Sequence, residues 1–276
     1  IISADSRQVY RHLDIGTGKD LNEYRVEGKT IPYRMIDIAE PATQFYLHDF
    51  TQALRHSFDE FKANGLLPIV CGGTGLYLDA LRTDFSLTRI PENPALRKQL
   101  EALSKPELTE RLQQFPAALI AQVDLSSKKR LIRGIEIAEH TSLTGELPTP
   151  EPLPYRPYYI GIQTSLDERQ KRITFRLQQR LEQGLIEETE QLLAEGLGHD
   201  RLQQLGLEYK YCSLFLQGKL NREELFLALR QAIFQFAKRQ MTWFRRMERQ
   251  GVDIHWVTAE AIKDQIELLK QLPWEK

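Results

Sequence analysis

Two short apolar runs, Ile1-Ile2 and Leu66 to Cys71, each break into a loop of small polar residues. Ser3-Ala4-Asp5-Ser6-Arg7-Gln8-Val9-Tyr10 follows the first, with Asp14-Ile15-Gly16-Thr17-Gly18 behind it, and Gly72-Gly73-Thr74-Gly75-Leu76-Tyr77 follows the second. A parallel α/β sheet presents its chemistry in loops of this kind, at the C-terminal ends of its strands. The pattern places Asp5 and Thr74 near one crevice and makes an enzyme reading possible. Taken singly each has a plainer use: Asp5 as a helix cap, the glycines as a tight turn. A phosphate-handling α/β domain normally opens on a strand, a glycine-rich loop and a helix N-terminus, and no G-x-x-x-x-G-K-[ST] occurs in the chain.

The elements that must position these loops alternate at first. Ile31 to Ile38 reads as a third strand, closed by Glu40-Pro41. Phe50 to Ala63 has helical spacing through Leu54, Phe58 and Phe61, and stops at Asn64-Gly65. From Pro91 to about Tyr155 the strand-like runs vanish and apolar residues recur at helical spacing (Leu96, Leu100, Leu103; Leu108, Leu112, Phe115). A proline-rich stretch from Pro148 to Pro157 closes this block. Tyr158 to Gln163 returns as a strand, followed by a long helical pattern through Ile173, Leu177, Leu181 and Leu185. The expected organisation is an α/β core over 1–90 and 156–276, split in sequence by a helical insertion over 91–155.

Asn221 with Glu224 marks a helix start, and Leu225, Leu229, Ile233, Phe236 and Phe244 carry that helix to Gly251. Between Arg230 and Arg249 its polar face holds Arg230, Lys238, Arg239, Arg245, Arg246 and Arg249 against Glu248 alone, in a chain of 276 residues whose net charge is −1. A second basic cluster, Lys128-Lys129-Arg130 with Arg133, lies in the insertion. Concentrated basic surfaces on a near-neutral protein suggest an anionic partner, although basic helix faces are often merely solvated. At helical spacing Trp243 and Phe244 read as packing residues rather than as base-stacking platforms.

Composition sets bounds and excludes some classes. Charged residues at 27% and hydrophobic ones at 41% suit a soluble globular chain. No apolar run reaches the roughly 20 residues of a membrane span. Only Cys71 and Cys212 occur, and His12, His48, His56, His140, His199 and His255 show no metal-ligand spacing, so neither a disulfide framework nor a zinc site is supported. A reducing, cytoplasmic setting fits best.

Taken together and in order, SADSRQVY at 3–10, DIGTGK at 14–19, IDIAEP at 36–41, GGTGLYL at 72–78, PENPALR at 91–97, KKRLIRGIEI at 128–137 and AKRQMTWFR at 237–245 resemble the tRNA dimethylallyltransferase (tRNA isopentenyltransferase) family. The resemblance spans nearly the whole chain. It implies a P-loop NTPase-like parallel-sheet core with an inserted all-helical domain that binds tRNA. The implied reaction transfers a dimethylallyl group from dimethylallyl diphosphate to N6 of the adenosine just 3′ of the anticodon and releases pyrophosphate, with Mg²⁺. Adenine's exocyclic amine is a poor nucleophile because its lone pair is delocalised, so a carboxylate that takes its proton is useful. Asp5 matches the family's general base, and Thr74 and Arg97 match positions that orient the reacting groups. Lys210 falls where the family has a basic residue on the diphosphate, after a small length adjustment. The implied RNA contacts are Asp5, Ser6, Arg7 and Gln8 at the target nucleotide, then Lys129, Arg130, Leu131, Ile132 and Arg133, and Arg239 and Gln240. The target base is turned out of its stack, at a cost of a few kcal/mol for a loop base. The expected partners are a tRNA anticodon stem-loop and dimethylallyl diphosphate, with no membrane, for a monomer.

The sequence departs from the family in three places. Tyr33-Arg34 stands where two histidines are common, Gly134 where alanine is usual, and the family's phosphate loop would fall just before Ile1. No zinc-finger extension follows Trp274, which favours a bacterial or plastid-type protein. Other readings of the residues are an adenylate isopentenyltransferase, a small-molecule kinase of the same nucleoside-triphosphate-binding fold, and a non-enzymatic RNA-binding module. The resemblance predicts that residues 1–276 alone fold but transfer poorly. Equal turnover with and without upstream residues, measured side by side, would contradict that.

Overall fold

The computed structural model describes residues 1–83, 85–121, 125–149 and 155–258. Residues 150–154 of the proline-rich stretch, and Trp274, lie outside them. The chain divides into two compact units, one from Ile1–Arg82 with Tyr155–Lys276 and the other Thr83–Pro154.

The first unit opens with β1 (Ile2–Ser3), the hairpin strands β2 (Arg25–Val26) and β3 (Lys29–Thr30), α1 (Leu47–Ala63), β4 (Val70–Cys71) and α2 (Gly75–Asp79). β1 and β4 run parallel, Ile2 opposite Val70 and Ser3 opposite Cys71. On the other side of β1, Arg34 bridges Ile2 and its carbonyl accepts the Ser3 N–H at 3.0 Å. The strand expected over Ile31 to Ile38 therefore shrinks to this one bridge. Met35 and Asp37 take φ of 70° and 56°, and left-handed residues break the pleat on either side of Ile36. The sequence pattern missed the β2–β3 hairpin, which turns through Glu27 and Gly28 at φ 50° and 79°, the pair of positive values a two-residue hairpin favours.

α1 starts where the Asp49 carboxylate accepts the Tyr46 N–H at 2.7 Å, and it buries Phe50, Leu54, Ser57 and Phe61, a single helical stripe. That stripe packs with Ile2, Ala4, Met35, Tyr77 and Leu81, and the Phe50 and Tyr77 rings stack with centroids 3.7 Å apart. The apolar core thus sits directly beneath the loops that leave β1 and β4.

The second unit is all-helical among its described residues: α3 (Pro94–Glu101), α4 (Lys105–Leu112), α5 (Ala117–Ile120) and α6 (Lys128–Thr144). Asn93 caps α3, its side-chain oxygen accepting the Leu96 N–H at 3.1 Å, with Pro94 at the first helical position. Leu96, Leu100, Leu108, Leu112, Leu131, Ile132, Ile135 and Ala138 form one core. This corrects the expectation for Leu131 and Ile132: they lie on the apolar face of α6 and cannot present side chains to RNA.

The first unit resumes with β5 (Tyr159–Gln163), α7 (Leu166–Glu182), α8 (Leu185–Ala194), α9 (His199–Leu205), α10 (Leu207–Leu216), α11 (Arg222–Arg249) and β6 (Ile254–Thr258). β5 and β6 pair in parallel along five residues. The helical pattern through Ile173 and Leu185 is two helices, because Gly184 at φ 104° turns the chain between them. α11 begins with reciprocal caps, Asn221 Oδ1 to the Glu224 N–H at 3.0 Å and Glu224 Oε2 to the Asn221 N–H at 2.8 Å. Leu177, Leu185, Ile186, Cys212, Leu225 and Leu229 close a second core, where burial pushes the Cys212 thiol up to about 12.

The core position of Leu131 predicts that Leu131→Ala lowers stability by about 2–5 kcal/mol in urea denaturation. A loss within 0.5 kcal/mol would place the side chain at the surface, in the range of ordinary surface substitutions.

Candidate active site

The parallel register of β1 on β4 brings both loops to one place. The Ala4 N–H donates to Cys71 O at 2.8 Å, and the Thr74 N–H returns to Ala4 O at 3.2 Å. Thr74 Oγ1 then accepts the Ser6 N–H at 3.0 Å and lies 3.3 Å from Ser6 Oγ. Asp5 sits inside this exchange, half-buried, with Oδ1 accepting the Arg7 N–H at 2.7 Å and the Gln8 N–H at 3.4 Å. Those bonds fix the carboxylate and leave Oδ2 without a hydrogen-bond partner among the described residues. A fixed carboxylate with one free oxygen, beside a hydroxyl, is suited to accept a proton from a positioned donor.

Glycines let other groups approach this turn. A Cβ at Gly72 would collide with the Ala4 backbone, one at Gly73 with the Gln240 amide, and one at Gly75 with the Trp243 indole. Gln240 Nε2 donates to Gly73 O at 2.8 Å. The KRQMTW segment of α11 is therefore the seat of the GGTG turn, and Trp243 packs there as the sequence reading assigned. Phe244 also packs, edge-on to Trp256 with centroids 6.3 Å apart.

The DIGTGK loop is held chiefly by carboxylates. Glu188 of α8 accepts the N–H groups of Asp14, Ile15 and Gly16 at 2.9, 2.7 and 3.0 Å, and the Tyr209 hydroxyl at 2.7 Å. Burial, and then the Glu188 charge, raise the Tyr209 phenol far above its ordinary value, so it remains a donor. Lys19 is buried at 3% exposure and bonds Asp14 at 2.6 Å and also Asp37. Gln8 joins this loop to the Asp5 turn, its Nε2 donating to Gly18 O at 3.0 Å.

Beyond Gly18 lies a small charged cluster that no sequence motif announced. Arg180 of α7 donates to Gly16 O at 3.2 Å and stands 3.5 Å from the Glu208 carboxylate. Burial, with Arg176 one turn away, lowers the Arg180 pKa, and burial raises that of Glu208. Lys210, in the first turn of α10, carries its Nζ 5.7 Å from the Tyr211 ring and has no carboxylate partner among the described residues. Gly206 separates α9 from α10 just before this turn.

In the helical unit Arg97 is held by Glu92 at 2.6 Å and by the fully buried Glu136 at 2.7 Å. Arg133 donates to Ile90 O at 2.6 Å and Leu87 O at 3.1 Å, so its guanidinium already serves that unit's own structure. Lys129 and Arg130 are exposed on the first turn of α6. The structure brings Asp5, Ser6, Gln8, Thr74 and Gln240 together in one unit, and Arg97, Lys129, Arg130 and Arg133 in the other.

A family model described as IPP transferase matches residues 8–247. The tRNA dimethylallyltransferase 2 of Syntrophotalea carbinolica is 47% identical over 258 residues, covering 93% of this chain and 85% of that one. The tRNA dimethylallyltransferase 2 of Bacteroides fragilis is 44% identical over 276 residues, covering 98% and 88%. A crystal structure of the tRNA isopentenylpyrophosphate transferase of Bacillus halodurans matches 98% of this chain and 85% of its own, with a TM-score of 0.67 and 31% identity. A eukaryotic dimethylallyltransferase acting on tRNA shares the fold at a TM-score of 0.72 and 18% identity, over 99% of this chain and 74% of that one.

Glu188→Ala removes the acceptor of three loop N–H groups and of the Tyr209 hydroxyl. We expect stability to fall by about 2 kcal/mol or more, at the level of unsatisfied polar groups. Urea denaturation checks it, and an unchanged midpoint would show that water replaces the carboxylate at no cost.

Proposed function

Since the chain belongs to the IPP transferase family, we propose that it transfers a dimethylallyl group from dimethylallyl diphosphate to N6 of the adenosine 3′ of the anticodon in tRNA, releasing pyrophosphate. The observation that carries this reading to particular atoms is the Asp5 turn locked onto Thr74, with Asp5 Oδ2 free. In the reaction Asp5 accepts the N6 proton as that nitrogen bonds the allylic carbon and the carbon–oxygen bond to the diphosphate breaks. Ser6, Arg7 and Gln8 line the nucleotide's position, with Arg239 and Gln240 beside them on α11.

Lys210 stabilises the charge that develops on the leaving diphosphate. Arg97 keeps the orienting role implied by its motif match. No group of three or more metal-ligating side chains occurs among the described residues. Mg²⁺ would be held largely by diphosphate oxygens and water, its usual mode with phosphate substrates. The ion would neutralise leaving-group charge, and no residue is assigned to it. Lys129 and Arg130 contact the RNA backbone from the helical unit. No helix among the described residues is long and apolar enough to cross a membrane. From the tRNA substrate of the named relatives we place the protein in the cytoplasm, and a monomer is the expected state.

The test is mass spectrometry of an unmodified anticodon stem-loop incubated with Mg²⁺, dimethylallyl diphosphate and the full-length protein. The expected result is a gain of one five-carbon unit on the adenosine 3′ of the anticodon, lost in Asp5→Ala. Prenylation of free adenosine monophosphate and not of the stem-loop would move the assignment to adenylate isopentenyltransferase. RNA binding with no product would leave an RNA-binding module.

A further inference from the structure

The apolar series that builds α11 contains one member that does not enter the core. Phe236 is 43% exposed, whereas Leu225 and Leu229 of the same series are fully buried. The ring is not bare: the Arg239 guanidinium lies over it, 5.8 Å from its centroid. Phe236 precedes Gln240 by four residues, so the two share a helix face one turn apart, and Gln240 is bonded to Gly73 of the turn that carries Thr74. An exposed aromatic ring capped by an arginine thus stands one helical turn from the crevice.

Its electrostatic setting is equally specific. Arg230, Lys238, Arg239, Arg245, Arg246 and Arg249 have no carboxylate ion-pair partner among the described residues, on a chain whose net charge is −1. Arg230 and Arg246 also lie over aromatic rings, at 5.5 Å from Phe226 and 5.4 Å from Trp243. Those rings differ from Phe236 in exposure: Trp243 is committed to packing on Gly75, and Phe226 belongs to the flank of the second core. Only at Phe236 is an aromatic of this helix recorded as exposed. An exposed ring with a guanidinium over one face, in a field of cations without carboxylate partners, suits an unstacked base with its phosphate. A protein or lipid partner would not call for both at one spot.

We propose that Phe236 and Arg239 form a stacking platform for an unpaired base of the RNA loop, next to the nucleotide in the Asp5 crevice. The platform holds a neighbour of the target base and so keeps the loop open while the target is out of its stack. This rests on the RNA-modifying function proposed above.

The experiment measures binding of the anticodon stem-loop to the full-length protein across a salt series, with 2-aminopurine placed in turn at each loop nucleotide. Phe236→Ala should weaken binding about tenfold, the scale of one base–aromatic stack, and leave the salt slope unchanged. It should also abolish the fluorescence quenching that the wild type produces at one nucleotide beside the target. Phe236→Tyr should restore both, which a general loss of structure would not. Arg239→Ala should reduce the salt slope by about 0.7, the loss of one phosphate contact. Wild-type affinity and quenching in Phe236→Ala would overturn the platform while leaving the transferase assignment intact. Failure of the wild type to modify the stem-loop would instead strike the assignment itself.

Discussion

Everything in the site depends on a parallel pairing only two residues long. Ile2 and Ser3 lie on Val70 and Cys71, and the ladder continues past the strand ends through the Ala4–Cys71 and Thr74–Ala4 hydrogen bonds. Side chains alternate along a strand, so a slip of one residue would turn Asp5 and Thr74 away from each other. The core pins the register: Ile2 and Ala4 are fully buried in one cluster with Phe50 and Leu54, and a one-residue slip would turn both to the opposite face. The Asp5 carboxylate is thus placed by the same apolar contacts that stabilise the unit.

Around that pairing the structure satisfies loop backbone with charge. Glu188 takes three successive N–H groups of the DIGTG turn, and Lys19, buried between Asp14 and Asp37, ties that turn to the segment after Arg34. Such arrangements cost desolvation, and their net stabilisation is small unless every group finds a partner. Their value here is geometric. Gln8 transmits the position of the DIGTG turn to the Asp5 turn, and Gln240 and Trp243 hold the glycine turn from below.

Much of this was legible in the residues. The loops after Ile2 and Cys71 were readable as strand-end chemistry, the stop at Asn64-Gly65 and the Asn221–Glu224 start were readable as caps, and the glycines of GGTG were readable as a tight turn, while the close approach of Gln240 and Trp243 to them was not. The rest depended on long-range packing. The helical spacing of Leu131, Ile132, Ile135 and Ala138 already marks an inward face beside the exposed Lys129 and Arg130, but a five-residue motif taken as one contact surface hides it. Phe236 fits the apolar period of α11, and only the packing partners on each side decide that it stays exposed. The strand expected from Ile31 to Ile38 failed on backbone dihedrals at Met35 and Asp37, where neither residue type announces a left-handed conformation.

The central claim is that Thr74 works by fixing the Asp5 turn through its hydroxyl. Single-turnover prenylation of a bound stem-loop by Thr74→Val and Thr74→Ser tests it most directly. Valine keeps the shape and removes the acceptor for the Ser6 N–H, so the account predicts a transfer rate at least tenfold lower with RNA affinity retained, and near-normal transfer for serine. Wild-type single-turnover rates in Thr74→Val would contradict it, and would mean that the Asp5 carboxylate is held in place without that bond.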